Sequence, residues 1–512
     1  MGLSLAAGHP SQIEAKEETL SSVSAIDIGD INPHLYDTRS LFAQATPFEG
    51  LVGFDQEGEI IPVLAESWEV SEDGKTYAFQ IREGVTFSDG EVLNGEAVAK
   101  NFQALLDNRE RHAWMDIFNL IEKVEATGDY EFTMTLSEPY AATLNDLGNT
   151  RPFKIISPKQ FVDGGTKDGI EAPIGTGAYV LGDRKEDEYF EFERNEDYWG
   201  DAPDVKKYHF EVMPDVNLHS LALEKGNIDF LYGMKDVATD TFKEYKDKKG
   251  YTAELSDITN TRLLIFNSTQ GPLNDPAVRE ALAYGVNREE MAESLFDGLE
   301  EPMGRLFSTD VPYADVELED FTYDPDRVNK VLDDAGWTMG AGGVREKDGQ
   351  TLKLKTYYVT THADEKEMAE YLQASLQAFG IHLDVIGEES QAVRDRWDDG
   401  SYDILFRDTW GPTYDPYAFL GTIGSTQTSL TYSAQGIKDF KEVREKILNT
   451  QTTTDDKERK ADFEYILKAL HDQYAFIPLT GVKNRVVYND RVEFGGFDAN
   501  IQQKPLKDFK IK

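Results

Sequence analysis

Alternation of apolar and polar positions with a period of two dominates the first half of the chain. VLAESWEVSEDGKTYAFQIREGVTFSDG (63–90) alternates around Asp73-Gly74 and Asp89-Gly90. Asp-Gly readily takes the positive φ of a tight turn, so hairpins are predicted here. The period then lengthens. Over Gly95–Asn108, the residues Val98, Phe102, Leu105 and Leu106 fall on one face of a predicted helix. YEFTMTL (130–136) returns to strand spacing, and 175–200 reads as two strands joined by a charged turn.

Beyond about residue 260 strands alternate with longer helices. TRLLIFN (261–267), LKLKTYYV (352–359), IHLDVIG (381–387) and YDILFRDTW (402–410) read as strands. Helices are predicted over 275–296, from Asp324-Pro325 to near Gly336, and over 364–379 with Gly380 as the stop. This βαβ order predicts a mostly parallel sheet. FIPLTGV and RVVYND near the C-terminus read as short strands. Two α/β lobes result, with the chain crossing between them more than once. No internal repeat, low-complexity segment or long linker interrupts the pattern.

Composition narrows the function classes. The 512 residues contain no cysteine, which excludes a disulfide scaffold, a cysteine-ligated metal centre and a cysteine nucleophile. Lys and Arg number 52 against 95 Asp and Glu, a net charge of −43 that repels phosphate backbones. Nucleic acid and anionic membrane surfaces are therefore not expected partners. Aromatic residues make up 11% of the chain, so the acidity does not signal disorder. No apolar run approaches the ~18 residues of a membrane span. Residues 1–20 read as a polar tether, too short and too uncharged at the start for a signal peptide. The lack of thiols leans toward an extracytoplasmic location.

Catalytic motifs are missing. There is no nucleophile elbow, no Walker loop and no dinucleotide fingerprint, so an enzyme is not expected. Gly340-Ala-Gly-Gly343 lies in a hydrophilic turn and reads as a surface hairpin. The eight histidines never pair at helical metal-ligand spacing. His382 reads as a structural strand residue, and His34 and His112 as hydrogen-bonding residues in polar loops. The informative positions are arginines and aromatics: Arg111 with Trp114, Arg151 before Pro152, and Trp410 with Tyr414 in a Pro-rich loop. A guanidinium forks onto carboxylates, and aromatics supply stiff walls. Singly, each arginine fits a surface ion pair and each aromatic a core. Together they suit a pocket for a small polyanionic solute.

Four stretches carry a family resemblance: 64–102, GTGAYVL (175–181), RNEDYWG (194–200) and VREALAYGVNRE (278–289). In this order they resemble the family 5 extracellular solute-binding proteins of ABC importers. NPHLY (32–36), DNRERHAW (107–114), RPF (151–153), PIGTG (173–177), IGEES (386–390) and RDTWGPTYDP (407–416) are most similar to the branch that binds nickel or metal–opine metallophore complexes such as staphylopine. The resemblance implies an α/β, two-lobed periplasmic-binding-protein-like fold of class II, cluster C type, with a hinge and an extra subdomain in the first lobe. It implies a tether over 1–20, lobe I over 21–260, lobe II over 261–482, and a return to lobe I over 483–512.

The same resemblance implies site residues one by one. Arg151 and Arg111 would clamp chelator carboxylates, with Trp114 stacking beside them and Tyr36 at the pocket edge. Trp410 and Tyr414 would supply the opposite wall, and Arg396 a further carboxylate contact. Nickel-binding members carry a metal-ligating histidine near position 428, where this chain has Thr428 with Gln427 beside it. Opine-binding relatives carry an amide there, a part that Gln427 would play. Direct coordination by that route is thus lost, leaving His34 and His112 as the nearby side chains that could complete a metal's shell. The implied ligand is a chelate of nickel, or of cobalt, zinc, copper or iron, rather than a prosthetic group. The implied partners are that chelate and an ABC permease, with the protein a monomer and its location the periplasm or, as a lipoprotein, the cell surface. The alternative is an oligopeptide- or dipeptide-binding protein of the same family.

Overall fold

The computed structural model describes residues 18–35, 41–411, 413, 415–425 and 427–512. They form two compact units. The first comprises Met1–Glu138, Thr143–Ser256 and Asn484–Lys512, and the second Pro139–Ala142 and Asp257–Lys483. Two long strands, Tyr251–Phe266 and Ile477–Asn489, carry the chain from one unit to the other and back.

In the first unit the Asp-Gly signals become turns. Ala65–Val70 and Thr76–Ile81 pair antiparallel across Gly74, whose φ is +69°. Glu131–Leu136 and Ile121–Gly128 complete this four-stranded sheet. Helix Gly95–Asp107 begins at Asn94, whose side chain accepts from the amide of Ala97. It packs Phe102 onto Phe132 with ring centroids 4.7 Å apart. Glycine at position 95 is required by closeness, since a Cβ would lie 2.5 Å from the Glu131 carbonyl oxygen. A second four-stranded sheet runs Thr19–Ser24, Lys207–Val212, Tyr189–Arg194, Tyr179–Lys185. Its inner face joins Phe190, Phe192, Tyr208 and Phe210 to Phe42 and to Phe509 of the C-terminal segment. That burial holds residues 484–512 to this unit.

In the second unit the expected βαβ pattern appears, with two differences. Lys353–Val359 is parallel to His382–Glu388 and to Ile404–Asp408, but Tyr251–Phe266 runs antiparallel to Ile404–Asp408. The sheet is therefore mixed, because its long strand belongs to the crossing between units and not to a βαβ repeat. The two predicted C-terminal strands are one strand, Ile477–Asn489. Gly481 does not break it; Ile258 fills the space a side chain would take, with its Cδ1 2.7 Å from an ideal Cβ. Helices Pro276–Gly285 and Ala363–Gln377 bury Val278, Leu282, Leu372 and Leu376 against Leu264, Leu354 and Ile404. Residues 338–351 form a small hairpin sheet, as the glycine-rich turn predicted. Among the described residues no helix is long and apolar enough to cross a membrane.

The VREALAYGVNRE stretch explains itself structurally. Arg279 and Arg288 are 1% and 2% exposed, so neither is a surface ion pair. Arg279 donates to the carbonyls of Leu273, Asn274 and Gly436. Arg288 donates to those of Ala283, Val286, Phe321 and Pro478. Each guanidinium satisfies loop carbonyls that would otherwise be buried without a donor.

Candidate solute-recognition residues

In the first unit the site residues expected from the resemblance flank a buried aromatic column. Arg111 lies in the short 3-10 turn Arg109–His112, and it is exposed. Among the described residues it makes no ion pair, in a chain of 95 carboxylates. Trp114, three positions after Arg111, is 57% exposed. Between them His112 points inward and stacks on Phe118 (4.7 Å, 24°). Phe118 in turn stacks on Phe153 (5.0 Å, 9°), two residues after the half-buried Arg151. The segments bearing Arg111 and Arg151 are thus joined by three stacked rings. The Arg151-Pro152 peptide bond is cis.

The Arg151 segment is also held from behind. The Glu49 carbonyl accepts from the amide of Ile155 at 2.9 Å, and Gly50 bridges to Lys154. Glu49 itself is anchored by the family stretches. Its carboxylate accepts from Thr176 Oγ1 (2.9 Å), Tyr198 OH (2.8 Å) and Trp199 Nε1 (2.7 Å). Gly175 and Gly177 let the chain approach so closely that a Cβ would meet the Pro47 and Thr46 carbonyls at 2.1 and 2.6 Å. GTG and RNEDYWG therefore hold in place the segment that carries Arg151. Burial pushes the Glu49 carboxyl upward in pKa, and the three donors pull it back.

The two histidines occupy different surroundings from those expected of polar loops. His34 is buried, with Nε2 2.8 Å from the Lys154 carbonyl and Nδ1 2.9 Å from Thr166 Oγ1. A carbonyl only accepts, so Nε2 carries the proton and Nδ1 accepts from the threonine hydroxyl. Both ring nitrogens are engaged, which leaves no lone pair for a metal. Burial lowers the His34 pKa to about 4. His112 is fully buried under Phe118's face; burial, His34 and Arg111 lower its pKa to about 3. Both imidazoles are neutral core groups, a correction to the coordination role the sequence left open. Among the described residues no three His, Asp or Glu side chains group in a metal-holding set.

In the second unit Trp410 is 37% exposed, its ring edge-on to Phe419 (6.3 Å, 87°). The strand end before it is fixed by Thr261 and Thr409, which exchange hydrogen bonds of 2.8 Å. Three other expected contacts have local duties. Arg396 is forked onto Glu388 (2.6 and 2.7 Å), bonded to the Ser401 carbonyl and laid over the Tyr357 ring at 4.0 Å. A ligand carboxylate would have to displace Glu388. Thr428 is the N-cap of helix Ser429–Ala434 and forms a capping box with Thr431. Gln427 is exposed and pairs with Gln435, which donates to it at 2.9 Å. Tyr36 and Tyr414 lie outside the described residues.

One residue of this region was passed over in the sequence. Arg407 opens the RDTWGPTYDP stretch, and only the aromatics of that stretch drew attention. Its guanidinium lies over the Trp397 ring at 4.4 Å. The signal available was a second arginine three residues from a candidate wall.

Comparison with known proteins gives this arrangement its context. The family model for bacterial extracellular solute-binding proteins, family 5 Middle, matches residues 59–430. The chain is 39% identical over 494 residues to the nickel-binding periplasmic protein of Escherichia coli K12, covering 96% of this chain and 93% of that one. It is 27% identical over 503 residues to the E. coli dipeptide-binding protein, covering 92% and 91%. The crystal structure of NikA from Brucella suis in complex with Fe(III)-EDTA superposes with a TM-score of 0.93 at 37% identity, covering 96% of this chain and all of that one. From its length-wide match, its two-unit α/β fold and the structural use of the family stretches, the chain belongs to the bacterial extracellular solute-binding proteins of family 5.

Proposed function

We propose that this protein captures a transition-metal ion already wrapped in a carboxylate-bearing chelator, outside the cytoplasm, and presents it to an ABC permease. The observation that carries the reading is the pairing in the first unit. The segments that carry Arg111 and Arg151 are joined through the His112–Phe118–Phe153 column, and the exposed Trp114 lies three residues after Arg111. Two guanidiniums and an indole bind carboxylates and flat apolar surface, not a bare cation. The histidines beneath are buried and neutral, and residues 421–436 contain none. The organic shell must therefore supply the metal's ligands; imidazole and carboxylate groups suit nickel and its neighbours by the Irving–Williams order. Similarity to the E. coli nickel-binding protein and to a relative holding Fe(III)-EDTA supports the same reading.

Arg151→Ala tests it. Affinity for iron(III)–EDTA, measured by calorimetry, should fall by more than about 1.5 kcal/mol, because a charge-assisted fork is lost and a carboxylate is left unpaired. The melting temperature without ligand should hold. Unchanged affinity, or a dipeptide bound more tightly than any chelate, would overturn the assignment.

A further inference from the structure

We propose that Asn101 is a positioning residue for chelate recognition: its side-chain amide fixes the segment that carries Arg151 against the helix that leads into the Arg111 turn. The role rests on the reading that Arg151 meets the chelate, and adds the residue that keeps it in register. Asn101 is a polar residue on an apolar face. Val98, Phe102 and Leu105 form the buried stripe of helix Gly95–Asp107, and Asn101 lies among them with no exposed surface. Asparagine is a poor helix former, and a buried amide costs free energy unless its donors and acceptor are met. A residue chosen for the helix alone would be apolar here.

The partners of Asn101 show what it serves. Nδ2 donates to the Ala97 carbonyl one turn back (2.9 Å) and to the Ile156 carbonyl (2.8 Å). Oδ1 accepts from the Ile156 amide (2.9 Å). One side chain thus meets both backbone groups of a buried residue, as a paired strand would, although residues 155–157 lie in no strand or helix. Among the described residues, every hydrogen bond that ties residues 153–157 to this helix comes from Asn101. The other bonds of the segment run to Glu49, His34, Ile174 and Asp89. Phe153 also rests on Phe102 and Phe118, with ring centroids 5.4 and 5.0 Å away. Stacked rings hold the segment close but tolerate a small slide, whereas directional hydrogen bonds fix its register. The helix passes through Asn108 directly into the turn Arg109–His112 that carries Arg111. Asn101 therefore couples the two arginine-bearing segments through their backbones. A chelate presents its carboxylates at fixed separations, so forks on two segments grip it only while those segments keep register.

Asn101→Ala separates positioning from a general loss of stability. Affinity for iron(III)–EDTA, read by calorimetry, should fall at least about tenfold, because a misplaced fork forfeits much of its contact. In an Arg151→Ala background the same substitution should change affinity by less than about twofold, since a residue that acts through Arg151 then has nothing to position. Ser22→Ala is the control. It removes another buried hydrogen bond of the first unit, from Ser22 Oγ to the Phe230 carbonyl (2.7 Å). It should lower the melting temperature and leave affinity within about twofold of the parent. An Asn101→Ala affinity within about twofold of the parent overturns the proposal. So does an equal loss with and without Arg151, or a loss in Ser22→Ala that matches the one in Asn101→Ala. If the alanine variant does not fold, Asn101→Ser is read by the same criteria. If Arg151→Ala weakens binding and Asn101→Ala does not, the positioning role fails alone. If Arg151→Ala binds as the parent does, or the parent binds no iron(III)–EDTA, the chelate reading fails with it.

Discussion

Glu49 shows how a single half-buried carboxylate can hold together segments far apart in sequence. Three side-chain donors converge on it, and its backbone holds the segment that carries Arg151. Glu49→Leu would strand an indole N–H and two hydroxyls in the interior, at about 1–3 kcal/mol each. Glu49→Gln keeps a carbonyl for Trp199, and the Tyr198 hydroxyl can turn to accept from the new amide. Urea denaturation should therefore show the leucine variant more than about 3 kcal/mol less stable than the parent, and the glutamine variant within about 1 kcal/mol. Equal stabilities for the two would show that the donors find other partners. The arginines teach the complementary point. In an acidic chain the ready inference is a surface ion pair, and Arg396 makes one with Glu388. Arg279 and Arg288 instead serve buried carbonyls, an outcome that no local sequence pattern distinguishes.

At the scale of elements, the turn after helix Pro416–Ser425 decides what position 428 can do. Thr428 Oγ1 accepts from the amide of Thr431, and Thr431 Oγ1 accepts from the amide of Thr428. These bonds start helix Ser429–Ala434 and commit both hydroxyls. Thr428→Ala should cost about 1 kcal/mol of stability, the usual worth of an N-cap. It should leave chelate affinity unchanged, because the hydroxyl is not offered to solute. Calorimetry showing a tenfold loss of affinity at unchanged stability would restore Thr428 to the binding site. The column His112–Phe118–Phe153 acts in the same way in the first unit. Elements distant in sequence meet through rings, and the segments that carry Arg111 and Arg151 are joined by that contact.

For the whole molecule, charge and pH set testable limits. A net charge of −43 draws cations to scattered surface carboxylates, an attraction that salt screens. Nickel chloride alone should bind weakly at many sites and fade as sodium chloride rises, whereas the chelate should bind once. A single tight site for bare nickel that His112→Ala abolishes would overturn this, since His112 lies wholly inside. Acid stability follows from His34. Its folded pKa of about 4 lies below the ordinary 6.5, so the unfolded chain takes up the proton first as pH falls. Its contribution is complete above pH 6.5 and is lost toward pH 4, about 3 kcal/mol in all. Asp498, pushed up to about 6 by burial, works in the opposite sense over the same range. Comparing the parent with His34→Gln cancels that opposing effect. The stability difference between them should shift by about 3 kcal/mol against the parent between pH 7 and pH 4, read from denaturant midpoints. A difference independent of pH would show that His34 takes up its proton as readily in the folded protein as in the unfolded chain.

The sequence by itself determined whatever depends on neighbours along the chain. Asp-Gly pairs fixed the hairpins, Asn94 and Asp324 began their helices, and Gly336 and Gly380 followed the ends of theirs, because turn and cap chemistry is local. The four ordered stretches identified the family, and with it the α/β fold in two lobes. Only the tertiary structure decided the rest. His34 and His112 sit in polar-looking segments, and nothing within a few residues reveals that Thr166, Lys154 and Phe118 enclose them. Whether an arginine is pledged to a carboxylate, to a carbonyl or to nothing depends on residues as far apart as Arg279 and Gly436. The mixed sheet and the single strand Ile477–Asn489 likewise follow from pairing with residues far earlier in the chain. Burial and partner choice are properties of the packed chain, and a recognition site is made of both.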